Sequence, residues 1–114
     1  MIADATSTAL HAALSGLAQR SRVTADNIAN LQTPGFLAGR VDFESDLRDA
    51  VAEGRTPTGV GEVSRSLQPT RTDGNNVNLD EETLSAQETG LRYELAITAL
   101  TNKFNGLRTA IGTG

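Results

Sequence analysis

The sequence predicts an all-α fold in which elongated N- and C-terminal helices pair as a coiled coil, joined by a mobile central loop or short hairpin. Three observations carry that prediction. Apolar residues recur at 3-4 spacing early in the chain, they do so again without a break near its end, and the stretch between is punctuated by Gly and Pro.

The first helix covers about residues 6–31. Leu10, Leu14, Leu17, Ile28 and Leu31 fall on one helical row, with Ser21 and Thr24 filling its middle. Ala9, Ala12, Ala13, Ala18, Ala25 and Ala29 add helix propensity and keep the profile slim. Pro34 closes the segment, because the residue before a proline is pushed away from helical angles, and Gly35 suits the left-handed position of a type II turn.

A short helical piece follows over 43–51. Residues 53–72 read differently: their only aliphatic residues are Val60, Val63 and Leu67, and Gly54, Pro57, Gly59, Gly61 and Pro69 interrupt them. Val63 and Leu67 do not alternate as an amphipathic strand would. The expectation is an extended, mobile loop, or a short hairpin where a partner supplies a surface.

The last segment opens with a turn signal, Asp73-Gly74-Asn75-Asn76. Asn78 and Glu81 fit a capping box, and Asp80, Glu81 and Glu82 favour the positive end of a helix dipole. Tyr93, Ile97, Leu100, Phe104, Leu107 and Ile111 then keep 4-3-4-3-4 spacing, and Leu84, Leu91 and Leu95 form a second row. Gly112 and Gly114 mark the end. The chain is therefore one domain over 1–114: helix and turn over 1–34, an irregular middle over 35–72, and turn and helix over 73–114.

Two such helices make rods of roughly 38–45 Å at 1.5 Å per residue, each with a stripe too narrow to bury itself. The chain has 114 residues, is 38% hydrophobic and carries four aromatic side chains, so it cannot fill a thick core. Its helical row from Leu10 to Leu31 should meet the row from Tyr93 to Ile111 along a single seam. A subunit of this kind is expected to need neighbours, with folding completed on assembly.

Ten basic against fourteen acidic residues, for a net charge of −4, argue against nucleic acid as a partner. The absence of Cys removes disulfides, thiolate metal ligands and thiol nucleophiles. The first ten residues lack the basic and apolar regions of a cleaved secretory signal, and no run is apolar enough to insert into a membrane. His11 has no Ser, Cys or metal partner at a telling spacing and reads as a helix-surface residue. Asp42, Glu44, Asp46 and Asp49 read as a solvated helical face. The run from Asp73 to Asn78 resembles a calcium loop superficially but lacks its sharp-turn glycine. No catalytic residue, cofactor site or metal site is expected, and the chain reads as a non-enzymatic assembly element.

Two polar runs exceed what helix termination requires. Asn27-Ile28-Ala29-Asn30, followed by Thr33-Pro34-Gly35-Phe36, resembles the N-terminal signature of bacterial flagellar rod and hook proteins, usually A-N-N-I-A-N-x-x-T-P-G-Y. Asp26 and Phe36 stand where that pattern has Asn and Tyr. Val41-Asp42-Phe43 continues the likeness. The run from Asp73 to Glu82, with Leu91-Arg92-Tyr93 and Leu107 to Ile111, resembles the short proximal rod members of that family.

The resemblance implies a structural subunit of the basal-body rod, in the shaft that carries torque from the MS-ring to the hook. It implies self-assembly with other rod proteins, contact with the FliE adaptor and the MS-ring, and export by the flagellar type III apparatus. Phe43 and Leu47 fit the F-x-x-x-hydrophobic pattern associated with that export, though an amphipathic pair on a short helix has the same form. The contrasting possibilities are a sister rod protein of the same family, against which the run from Asp73 to Glu82 speaks, and a cytoplasmic helical export chaperone or adaptor that binds a partner helix.

Overall fold

The computed structural model describes residues 4–113. In chain order it contains α1 (Ala5–Ala29), β1 (Gly39–Asp42), α2 (Glu44–Glu53), β2 (Glu62–Arg65) and α3 (Leu79–Thr113). The Asp4 carboxylate opens α1 by accepting the Ser7 N–H at 2.8 Å, as an N-cap does. The Asn30 N–H ends it on the carbonyls of Asp26 and Asn27. Thr33 to Phe36 then form the expected turn, closed by the Phe36 N–H on the Thr33 carbonyl, with Gly35 at φ 75°.

Asn78 caps α3 through its Oδ1, which accepts the N–H groups of Asp80 and Glu81 at 3.0 and 3.3 Å. The reciprocal half of a capping box is replaced, since the Glu81 carboxylate turns to Arg40 at 3.7 Å. Gly112 lies inside α3, one residue before its end, and Gly114 lies outside the described residues.

α1 and α3 run antiparallel along each other. Asn27 meets Glu82 at one end of the pair, and Lys103 meets Asp4 at 2.7 Å toward the other. The molecule is correspondingly thin, with extents of 66 × 27 × 14 Å.

The fold is mostly helical, but the all-α expectation missed a two-stranded sheet. β1 and β2 pair antiparallel, Gly39 opposite Arg65 and Asp42 opposite Glu62. Residues 62–65 thus form a strand inside the segment expected to be irregular. Its partner lies across α2 rather than across a tight turn, so it is not a local hairpin. The physical reason for the miss is that β2 is exposed at every position and β1 covers only Gly39 and Val41, so neither strand writes an apolar alternation into the sequence.

The buried apolar cluster is Leu17, Val41 and Phe43, with Val23 and Leu47 packed against it. None of it comes from α3. α1 therefore has two working faces: one toward α3, and one toward the sheet and α2 that combines Leu17 and Val23 with small and polar residues. On that second face a Cβ at Gly16 would collide with the Phe43 ring, and one at Gly59 would come 2.6 Å from the Ala12 carbonyl. Gln19 adds two 2.8 Å hydrogen bonds to the backbone of Gly61, which ties the supposedly mobile middle to α1. Leu31 lies beyond the end of α1 and leaves the helical row, while Leu10 and Leu14 are half-buried and Ile28 is exposed.

Candidate functional site: the polar junction

The two polar runs meet where α1 ends, β1 begins and α3 starts. At its centre is Asn27, only 1% exposed. Its Oδ1 accepts the Gly39 N–H at 2.8 Å while its Nδ2 donates to the Gly39 carbonyl at 3.0 Å and to Glu82 Oε2 at 3.1 Å. A carboxamide that gives and takes with one peptide unit does what a neighbouring strand would do, so Asn27 closes the outer edge of β1. Arg20 closes that edge further along by donating to the Val41 carbonyl at 2.6 Å.

Glu82 has a side chain only 2% exposed and is held by Asn27 and by Arg40 Nη1 at 2.8 Å. A buried carboxylate is tolerated because its oxygens are engaged by those two donors. This residue stood in the sequence as one of three acids near a helix start, where its burial could not be read.

Asn75 and Asn76, both buried, stitch the second run to the first. Asn75 Nδ2 reaches the carbonyls of Asn30, Leu31 and Thr33 at 2.9–3.1 Å, which gathers up the chain leaving α1. Asn76 Oδ1 accepts the Ala38 N–H at 2.7 Å, and its Nδ2 donates to Ser66 and Gln68. Arg71 bridges the Leu31 and Val77 carbonyls at 2.7 and 2.6 Å, and the Gly35 N–H meets the Asp73 carbonyl at 2.8 Å. These are main-chain-directed amides, so the likeness to a calcium loop dissolves into backbone closure.

The other motif residues line the rim. Asn30 accepts from Thr33 Oγ1 at 3.0 Å, Ala29, Thr33, Pro34 and Gly35 are exposed, and half-buried Phe36 carries the Arg65 guanidinium 5.6 Å from its ring centre. Phe43 is buried and Leu47 partly so, which places both in the core of the folded chain. Along α3, Leu100 and Leu107 are half-buried, Tyr93, Ile97 and Phe104 stay 37–42% exposed, and Ile111 is mostly exposed.

The charged residues act on structure. Arg20 donates to both oxygens of Glu44 and stacks 4.8 Å from the Phe43 ring centre; those hydrogen bonds hold the Glu44 carboxyl below its usual range and raise Arg20. Asp4 is lowered chiefly by its hydrogen bond from Lys103, and Asp42 by Ser45. His11 is exposed, and among the described residues no cluster of His, Asp and Glu is arranged to hold a metal ion. No helix among them is long and apolar enough to cross a membrane.

What these residues build is a device for fixing one helix against another. The sequence over residues 9–36, the part of the chain that ends in the Asn27 to Phe36 run, matches the family described as flagella basal body rod protein. The likeness extends over most of the chain. The flagellar basal body rod protein FlgB of Escherichia coli (strain K12) is 30% identical over 90% of this chain and 89% of its own length. FlgB of Yersinia enterocolitica is 31% identical over 90% of each, and FlgB of Cereibacter sphaeroides is 34% identical over 81% of this chain and 82% of its own. The chain belongs to the FlgB family of flagellar basal body rod proteins, a structural and not a catalytic family.

Proposed function

We propose that this chain is a wall subunit of the proximal rod, exported through the flagellar type III apparatus and assembled into the shaft that transmits torque from the MS-ring to the hook. The observation that carries the reading is an incomplete seam. The α3 row from Tyr93 to Ile111 has error-free helical spacing, yet Tyr93, Ile97 and Phe104 keep more than a third of their surface exposed. Such a stripe is worth about 25 cal/mol per Å² only once covered, and neighbouring subunits would cover it. In the assembled wall α1 and α3 would complete a coiled coil, with Leu10, Leu14 and Ile28 on the facing row, Leu17 being taken up by the cluster with Val41 and Phe43.

Self-assembly with the other rod proteins, and contact with the FliE adaptor and the MS-ring, follow from that position. The polar junction would hold the exit angle of α1 constant while the distal helices adapt to their neighbours. Substituting Phe104→Asp tests the reading. The variant is expected to be secreted at near normal levels but to be absent from isolated basal bodies, leaving cells non-motile. Normal swimming would refute the seam. Retention in the cytoplasm as a stable dimer, for the unaltered chain, would instead mark a chaperone.

A further inference from the structure

The C-terminal end of α3 is written in weak helix formers: Thr101, Asn102, Asn105, Gly106, Thr109 and Gly112. Tertiary cover does not make up the difference. From Phe104 to Gly112 only Leu107 is half-buried, and a Cβ at Gly106 or Gly112 would meet nothing within 4 Å. The Thr109 hydroxyl bonds back onto the Asn105 carbonyl at 2.9 Å, a contact that loosens a helix. Helix ends of this kind open locally, well before the rest of the chain unfolds.

This end holds the chain's sole Asn-Gly pair, Asn105-Gly106. Asn105 is exposed, and among the described residues no hydrogen bond holds its carboxamide. At helical angles the Gly106 nitrogen lies out of line with the Asn105 side-chain carbon, so the two react only when the turn opens. Glycine then leaves its nitrogen unshielded.

We propose that Asn105-Gly106 is a self-modification site, where the free subunit deamidates through local opening of α3. In the opened turn the Gly106 nitrogen gives its proton to solvent base and bonds to Asn105 Cγ. The Cγ–Nδ2 bond breaks, and Nδ2 leaves as ammonia with a proton from water. Water then opens the five-membered imide at either carbonyl and leaves aspartate or isoaspartate, so that one water is consumed and one ammonia released. Isoaspartate carries the main chain through its side-chain carbon, so the helical hydrogen-bond ladder cannot run across it. A carboxylate also replaces a neutral amide between Phe104 and Leu107.

The same ring closure is open by dipeptide chemistry to Asp73-Gly74, but that turn is held. The Gly74 N–H donates to the Arg71 carbonyl at 2.9 Å, Asp73 Oδ1 accepts the Asn75 N–H at 3.0 Å, and the Asp73 carbonyl accepts the Gly35 N–H at 2.8 Å. The fold therefore selects residue 105. The site is a property of the isolated chain. Its consequence rests on the seam proposed above: a converted subunit no longer sets Phe104 and Leu107 on one helical row, so time spent uncovered withdraws subunits from assembly.

Peptide mapping by mass spectrometry tests the site, on the full chain aged in mildly alkaline buffer with a urea-unfolded sample alongside. Native conversion at Asn105 is expected within about thirtyfold of the unfolded rate, as local fraying allows, with Asp73 unconverted over the same time. Stronger suppression at Asn105, or native conversion at Asp73 ahead of it, would overturn the proposal. Gly112→Ala touches neither reacting group but strengthens the helix end. It should slow native conversion by about threefold to fivefold and leave the unfolded rate unchanged. An equal native rate in the parent chain and Gly112→Ala would overturn the opening step, and with it the proposal. Gly106→Ala should slow conversion in both samples, because its methyl group shields the attacking nitrogen; an undiminished rate would show that the imide does not form there.

Discussion

Asn27 illustrates how much one side chain can hold. It satisfies both polar groups of Gly39 and one oxygen of Glu82 in a place water does not reach. Asn27→Leu keeps the volume and strands those groups, at a cost of about 2–4 kcal/mol in unfolding free energy at neutral pH. Asn27→Asp keeps the acceptor for Gly39 but sets a second carboxylate against Glu82. Like charge raises the new carboxyl's pKa in the folded state, so its penalty is complete above that raised value and shrinks as pH falls through it. Denaturant melts at neutral pH and near pH 4 should separate the two variants: Asp regains more of its loss in acid than Leu, which still leaves both polar groups of Gly39 unpaired. Glu44 gives the opposite sign. Arg20 holds its pKa below the unfolded value, so its contribution is full above that value and is lost as pH falls through the folded one. Glu44→Gln is expected to cost about 1 kcal/mol or less at neutral pH, given the pair's partial exposure, and to match the parent chain at low pH.

At the scale of elements, legibility followed what each element buries. α1 and α3 were readable because helical periodicity is local, and the caps at Asn78 and the Pro34-Gly35 turn were readable because they are chemical rules of single positions. The sheet was not, since its free edge is closed by Asn27 and Arg20 rather than by alternating apolar residues. The Asn27 to Phe36 and Asp73 to Glu82 runs stood out as unusual, but their meeting is a tertiary fact that spacing does not encode. Gly16 is the clearest case. Inside a helix pattern it reads as a weakness, whereas its place is set by the Phe43 ring lying on it. Gly90, on α3, has nothing within 4 Å of where a Cβ would stand. The two glycines should therefore respond with opposite signs to alanine. Gly90→Ala should stabilise the chain by about 0.5–1 kcal/mol through helix propensity. Gly16→Ala should destabilise it by about 1–3 kcal/mol, because overpacking against Phe43 outweighs the same propensity gain. Paired denaturation curves decide it.

At the scale of the whole molecule, the small core lies between α1, the sheet and α2, while α3 is attached through polar groups and a half-covered row. That arrangement bears on export. Phe43 is 3% exposed and Leu47 packs beside it, so the folded chain conceals the pair that the export pattern names. A receptor for Phe43 and Leu47 would have to read the chain before it folds. Loss of the pair must then act differently from loss of the core it belongs to. Leu17→Ala removes a neighbour in the same cluster, is expected to cost about 2–5 kcal/mol, and leaves the export pattern intact. Phe43→Ala with Leu47→Ala should retain the protein in the cytoplasm, while Leu17→Ala should be secreted as well as the parent chain or better, since an unstable fold opens more readily. Comparing secreted and cytoplasmic protein for the two variants settles the matter. Equal retention of both would mean that Phe43 serves only the fold, and equal secretion of both would remove the pair from export altogether.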